Sequence, residues 1–190
     1  MARPSVREQI VDAASEQFHR HGYNACGVKL ITDSAGVPKG SFYNHFPSKE
    51  DLALEVMARY AASRRFEELS DATPAPLERL RRNFEFLAGE ITDHGYERGC
   101  VFGNFTTEAA DHSAAIGDGV REGFADWTTT VAAVLREARS DGTLAAAHDP
   151  DVLVLFVVNA WEGAIVGARA AKDGSSFAAF FHVVFDSLLT

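Results

Sequence analysis

Apolar side chains recur along this chain at intervals of three and four, the spacing that puts them on one face of an α-helix. Val6, Ile10, Ala13, Ala14 and Phe18 make the first stripe. Ser5 and Glu8 open it as a capping box, and Gly22 closes it. Val28 to Ala35 is a second, shorter helix, and Lys39 to Phe46 a third. Ser48 and Asp51 cap a fourth, which Leu52, Val56 and Tyr60 carry on to about Ser70. Ser70-Asp71-Ala72-Thr73-Pro74-Ala75-Pro76 reads as a linker. Beyond it, Leu77, Leu80, Phe84, Leu87 and Ile91 step along one amphipathic face. A short helix over 101–110 follows. Ile116, Val120, Phe124, Trp127, Val131, Val134 and Ala138 then mark a long one that ends at Gly142. Asp149 and Pro150 start another, apolar nearly all round, and Phe177, Phe181, Val184 and Leu188 belong to the last. No strand alternation interrupts the series. The pattern predicts an all-α chain of eight or nine helices. A helix-turn-helix domain of three helices occupies 1–50, and a helical bundle 51–190.

Charge narrows where any nucleic acid can bind. The chain of 190 residues has a formal net charge of −9 and is 46% hydrophobic, ample for a core. Residues 1–50 hold six Lys/Arg against five Asp/Glu, while 51–190 hold twelve against twenty-two. An acidic body repels a polyanion, so DNA contact is expected only in the N-terminal part. The longest apolar run, Val152 to Ala168, is broken by Asn159 and Glu162 and falls short of a comfortable bilayer span. No apolar signal segment or lipidation site is read at the N-terminus. Two cysteines, Cys26 and Cys100, do not make a disulfide framework. The expected setting is the cytoplasm, with no membrane partner.

The third helix carries the chemistry. Phe42 and Phe46 sit four apart, so both face inward. Lys39, Ser41, Tyr43, Asn44 and His45 are left to face outward or flank. A Lys ammonium and Ser and Tyr hydroxyls suit phosphate. Asn44 suits an adenine edge and Lys39 a guanine edge. Gly40 has no side chain, so the backbone can approach a duplex closely. Lys49, opening the fourth helix, and Lys29, in the second, are placed for flanking phosphates. Two short helices around a tight Gly36 turn make the helix-turn-helix that fits a major groove.

The phrase Gly36-Val37-Pro38-Lys39-Gly40-Ser41-Phe42-Tyr43-Asn44-His45-Phe46, followed by Ser48-Lys49-Glu50, resembles the DNA-binding domain of the TetR/AcrR family of bacterial repressors. Gly22-Tyr23 fits as well, and the resemblance spans about residues 5–52. It implies a homodimer on a two-fold DNA operator, released by a small-molecule effector in the C-terminal part. It also implies DNA contacts at Lys39, Ser41, Tyr43 and Lys49, with Asn44 and His45 beside them. One position departs from the pattern. Gly27 stands where the family usually has Ser or Thr, and Cys26 replaces the more usual Thr next to it. Glycine still caps a helix at a cost of a few tenths of a kcal/mol, and its backbone N–H can contact phosphate, but the hydroxyl contact is lost.

For the dimer, Phe156, Ala160, Gly163 and Gly167 fall at helical spacing with small residues that permit close approach, and the last helix offers Phe181 and Phe185. For the effector, Phe84, Phe105, Phe124, Trp127 and Trp161 make an aromatic-rich bundle suited to a mostly apolar pocket. Gly99-Cys100 before an apolar helix resembles the branch of the family that includes the repressor of N-ethylmaleimide reductase. That resemblance implies a cysteine sensor of electrophiles and oxidants at Cys100. Sensing needs a lowered thiol pKa, from a helix N-terminus or a cation such as Arg98 or Arg169; the alternative is an inert buried cysteine.

Three rival readings are weaker. Cys100, Asp111 and His112 do not make a catalytic set, because adjacent Asp111 and His112 point apart on a helix. No glycine-rich phosphate loop is present, so neither an enzyme nor a cofactor is expected. His19 and His21, two apart, lie on different sides of a helix, so no metal is expected. A helical interaction module that has lost DNA binding finds support only in Gly27.

Overall fold

The structure is a computed structural model that describes residues 5–145 and 148–190. Among the described residues it contains nine α-helices and no strand. The chain divides into two compact units. One comprises the residues up to Ala61 together with Val101–Gly123; the other comprises Ala62–Cys100 with Phe124–Thr190.

The first unit holds α1 (Val6–Ala25), α2 (Val28–Ala35), α3 (Lys39–Phe42), α4 (Lys49–Ala62), α6 (Val101–Glu108) and the start of α7 (Ala114–Ser140). The capping box that opens α1 is formed. Ser5 Oγ accepts from Glu8 N–H at 3.2 Å, and Ser5 N–H donates to Glu8 Oε2 at 2.7 Å. The inward stripe of α1 (Ile10, Val11, Ala14 and Phe18) is buried with Ile31, Phe42, Phe46, Leu52 and Val56. Burying each large side chain contributes about 1.5–3 kcal/mol. Arg7 fixes α4 against α1 with two hydrogen bonds of 3.1 Å to Glu55.

Gly22 interrupts α1 with φ 74° and ψ 174°, a region closed to other residues. The space a Cβ would need there is filled by Glu108. That residue accepts from Asn24 N–H at 3.1 Å through its carboxylate, and from Asn24 Nδ2 at 2.7 Å through its backbone carbonyl. Phe105 of α6 lies edge-on to Phe18 and Tyr23, at 5.4 and 5.5 Å. Together these contacts lock α6 to the end of α1.

The second unit holds a 3-10 turn (Phe66–Ser70), α5 (Pro76–Asp93), the rest of α7, α8 (Pro150–Ala171) and α9 (Ser175–Val183), which ends in a π-type turn over Val184–Leu188. Asp149 caps α8 by accepting from Asp151 N–H at 3.0 Å. Phe84 is fully buried at the centre of an aromatic cluster with Trp161, Phe180, Phe185 and Trp127. Arg79, only 6% exposed, pairs with Glu137 across α5 and α7.

Two helices are shorter than their sequence predicts. The fourth stops at Ala62, not near Ser70, because the chain leaves the helix at Ser63 and Arg65 takes a left-handed φ of 58°. Tertiary contacts hold the break: Arg64 C=O accepts from Asn83 Nδ2 at 2.9 Å, and its guanidinium pairs with Glu90 at 2.5 Å. The third is helical only over Lys39–Phe42, and Tyr43 to His45 form a turn. The helix over 150–171 is long enough to cross a membrane by length and composition, but one side of it is buried within its own unit.

Candidate nucleic-acid interface

The turn between α2 and α3 is built by hydrogen bonds that only a left-handed residue permits. Gly36, φ 67°, donates its N–H to Asp33 C=O at 3.2 Å, and Val37 N–H reaches Thr32 C=O at 3.0 Å. These are the two bonds of a Schellman motif, and they turn the chain sharply out of α2. Thr32, fully buried, adds hydroxyl bonds of 3.1 Å to Val28 and Lys29 C=O. Gly27 starts α2 with no side-chain cap; its carbonyl accepts from Ile31 N–H at 3.2 Å.

Phe42 and Phe46 anchor the segment after Gly36 from beneath, with ring centroids 5.8 Å apart and both side chains buried. Phe46 N–H and His45 N–H both donate to Phe42 C=O at 2.9 Å, which keeps the segment coiled past the end of α3. The Arg7 guanidinium covers the Phe46 ring at 5.0 Å. With that face fixed, Lys39, Gly40, Tyr43, Asn44 and His45 are exposed and Ser41 is half-buried. The Tyr43 ring stands on the Phe42 edge at 5.1 Å while 58% of the residue faces solvent, so its hydroxyl is held outward. Among the described residues, no protein group pairs with the Lys39 ammonium or with the Asn44 and His45 side chains. The Cβ direction at Gly40 is open, and so is that at Gly27.

The two flanking cations differ from this picture. Lys29 is exposed but pairs with Asp33 at 2.5 Å. Such a surface pair is weak, so a phosphate can replace Asp33 at little cost. Lys49 turns inward. Its Nζ donates to Tyr23 C=O at 3.0 Å and sits 3.9 Å above the Tyr23 ring, and burial lowers its pKa. It holds the end of α1. Cys26, fully buried beside it, has a thiol pushed up to about 11 by burial.

The geometry agrees with comparisons to known proteins. Residues 10–56 match the family model for bacterial regulatory proteins of the tetR family, and residues 76–184 match the Tetracyclin repressor-like C-terminal domain. The chain belongs to the TetR family of transcription regulators. It is 31% identical over 192 aligned residues to the HTH-type transcriptional repressor DhaR of Mycobacterium sp. strain GP1, covering 100% of this chain and 95% of that one. A crystal structure of a regulatory protein TetR from Rhodobacter sphaeroides superposes with TM-score 0.83 at 34% identity, over 93% of this chain and 95% of that one. The reduced form of E. coli NemR, at 22% identity and 95% coverage of both chains, superposes with TM-score 0.85 and shows the shared fold.

The residues expected to hold a TetR-type effector are partly brought together. Phe84, Phe124, Trp127 and Trp161 lie in the second unit, with Phe84 5.0 Å from Trp161 and 6.1 Å from Trp127, and Phe124 stacked on Trp127 at 6.4 Å. They pack largely on one another. Phe105 lies in the first unit, where α6 packs on α1 and the ring meets Phe18 and Tyr23. Cys100 is buried, and its thiol donates to the Glu162 carboxyl. An open groove of about 380 Å³ between α5 and α7, beside Arg79 and Glu137, is lined by none of these residues.

Of the expected interface residues, Phe156 is 50% exposed and Gly163 faces open space. Ala160 and Phe181 are half-buried. Gly167 packs within the chain, where an added Cβ would lie 2.3 Å from Ser176 Oγ, and Phe185 is buried among Phe84, Phe180 and Phe181. Sequence reasoning missed Glu162 and the Gly22–Glu108 lock. The signal for the first was a single carboxylate within the most apolar run; nothing in the sequence links residues 22 and 108.

Proposed function

We propose that this TetR-family regulator is a cytoplasmic homodimeric repressor. Residues 1–50 bind a two-fold operator, and a small, mainly apolar effector in residues 51–190 releases it. The observation that carries the DNA reading is the segment after Gly36, where two buried phenylalanines fix Lys39, Tyr43, Asn44 and His45 outward with their polar groups uncommitted. Lys39, Ser41 and Tyr43 bind phosphate or a guanine edge, Asn44 and His45 reach base edges, and the Gly27 and Gly40 backbone approaches the duplex. Lys29 exchanges Asp33 for phosphate, and Lys49 positions the domain from behind.

An exposed apolar stripe on α8 supports the dimer. Val152, Leu155, Phe156 and Val166 are each at least half exposed, and Val183 of α9 joins them. Dimerisation places two recognition segments in successive major grooves, about 34–36 Å apart. An effector that favours another spacing releases DNA with a coupling of about 1–3 kcal/mol. Fluorescence anisotropy tests this: tight, sequence-dependent binding that weakens steeply with salt and with effector supports it. Equal affinity with and without a saturating effector refutes the release step.

A second reading assigns Cys100 to sensing electrophiles, with the Glu162 carboxylate as the general base that takes the thiol proton when sulfur attacks, not as a group that lowers the thiol pKa. Unchanged release of Cys100→Ser by quinones or aldehydes refutes it.

A further inference from the structure

Glu162 sits in the middle of α8, the helix whose buried side carries Val157, Val158, Trp161 and Ile165. Its Oε1 is completely buried and receives no hydrogen bond. The partner its carboxyl has is the Cys100 thiol, a weak donor. Burial, the larger influence, pushes its pKa up to about 7. A carboxyl kept for structure is normally matched by a cation or by backbone N–H groups, because burying it otherwise lowers stability. Nothing of that kind reaches Oε1. Trp127 Nε1, on α7 of the same unit, is likewise buried with no acceptor. Buried polar atoms left unmatched in a folded protein call for a specific cause, and an atom reserved for a ligand is one.

We propose that Glu162 is the polar anchor of the effector site, and that the effector is a small, mainly apolar molecule whose N–H or O–H group donates to Glu162 Oε1. This rests on the effector reading above and adds the chemistry of recognition. A hydrocarbon of the same shape gains no bond from Oε1, so it binds more weakly than the donor-bearing molecule. An amine and an alcohol share the donor. The amine leaves the carboxyl ionised beside a cation; the alcohol binds it with no change of charge.

The test uses the full chain at fixed concentration, without DNA. Shape-matched sets of aromatic hydrocarbon, alcohol and amine (toluene, benzyl alcohol and benzylamine, then larger bodies) are screened by thermal unfolding against wild type and Glu162→Met. Ligand-free Glu162→Met is expected to melt higher than wild type, by about 2–4 °C or more, because an unmatched buried carboxyl is gone. Donor-bearing probes are expected to raise the wild-type melting temperature several degrees more than their hydrocarbons, and the variant to lose that difference. A lower melting temperature of the ligand-free variant overturns the proposal, because it makes Glu162 a structural residue. So do equal shifts within every set, no shift from any donor-bearing probe, or a donor preference that survives Glu162→Met. The comparison of amine with alcohol then shows which source of the donor is favoured. Donor-dependent stabilisation without operator release leaves this assignment standing and refutes the release reading; release by effectors indifferent to Glu162→Met does the reverse.

Discussion

Replacing Gly22 by alanine tests how α1 and α6 are joined. Two costs add. Gly22 lies at φ 74° and ψ 174°, where a side chain costs about 1–3 kcal/mol. The new Cβ would also lie 2.2 Å from Glu108 Oε1 and 2.4 Å from Oε2, so the carboxylate must swing away. It then loses its 3.1 Å bond from Asn24 N–H. A charge-assisted bond is worth about 1.5–3 kcal/mol, and exposure to solvent cuts this one to about 1 kcal/mol. The sum is about 2–4 kcal/mol, which for a chain of this length is a fall of roughly 4–16 °C in Tm. Urea unfolding followed by far-ultraviolet circular dichroism measures it. Glu108→Ala alone is expected to cost only about 1 kcal/mol. In the Glu108→Ala background, Gly22→Ala should retain just the backbone strain, so the two substitutions are less than additive. A Gly22→Ala effect below about 0.5 kcal/mol, or one unchanged by removing Glu108, refutes the reasoning.

Other expectations follow from particular contacts. Lys49→Ala should lower stability by about 1–2 kcal/mol, through the lost bond and ring contact with Tyr23, yet leave the salt dependence of DNA binding intact. Lys39→Ala should instead leave stability unchanged and reduce the salt slope by about 2, one phosphate contact from each protomer of the dimer. Burial holds the Glu162 carboxyl near 7 when folded against 4.5 when unfolded, so between these values the folded state keeps a proton that the unfolded state has lost. The associated stability is full below about pH 4.5 and disappears as pH rises through about 7, up to about 3 kcal/mol. Glu162→Gln should flatten that part of the profile in urea unfolding at several pH values. Val166→Glu, at a position 66% exposed, should halve the mass seen by sedimentation while the circular dichroism stays helical; an unchanged mass places the interface elsewhere.

Local rules made most of the fold legible. The Ser5–Glu8 box, Asp149 before Pro150, and Gly36 between two apolar stripes each state a helix end through hydrogen bonds within a few residues, and all are found as read. The inward pair Phe42 and Phe46, hence the outward face of the recognition segment, also follows from spacing. Ends fixed by distant partners were not legible. The break after Ala62 has no Gly or Pro to announce it; Asn83 and Glu90 hold Arg64 there from α5. For the proposed C-terminal effector site, composition was legible but geometry was not. An aromatic at helical spacing reads the same whether it lines a pocket, joins a core as Phe84 does, or packs on α1 as Phe105 does. Lys49 looked free for phosphate because the Tyr23 carbonyl that takes its ammonium belongs to another helix.

The most direct test of the central claim is fluorescence anisotropy of the full chain on duplex DNA from its own upstream region and on duplexes it selects from a random pool. Scrambled duplexes and several salt concentrations serve as controls. Tight, sequence-dependent binding is expected, falling steeply with salt and abolished by Lys39→Ala with Tyr43→Ala in a variant that still folds. Weak binding, equal on selected and scrambled DNA and unaffected by those two substitutions, would contradict it.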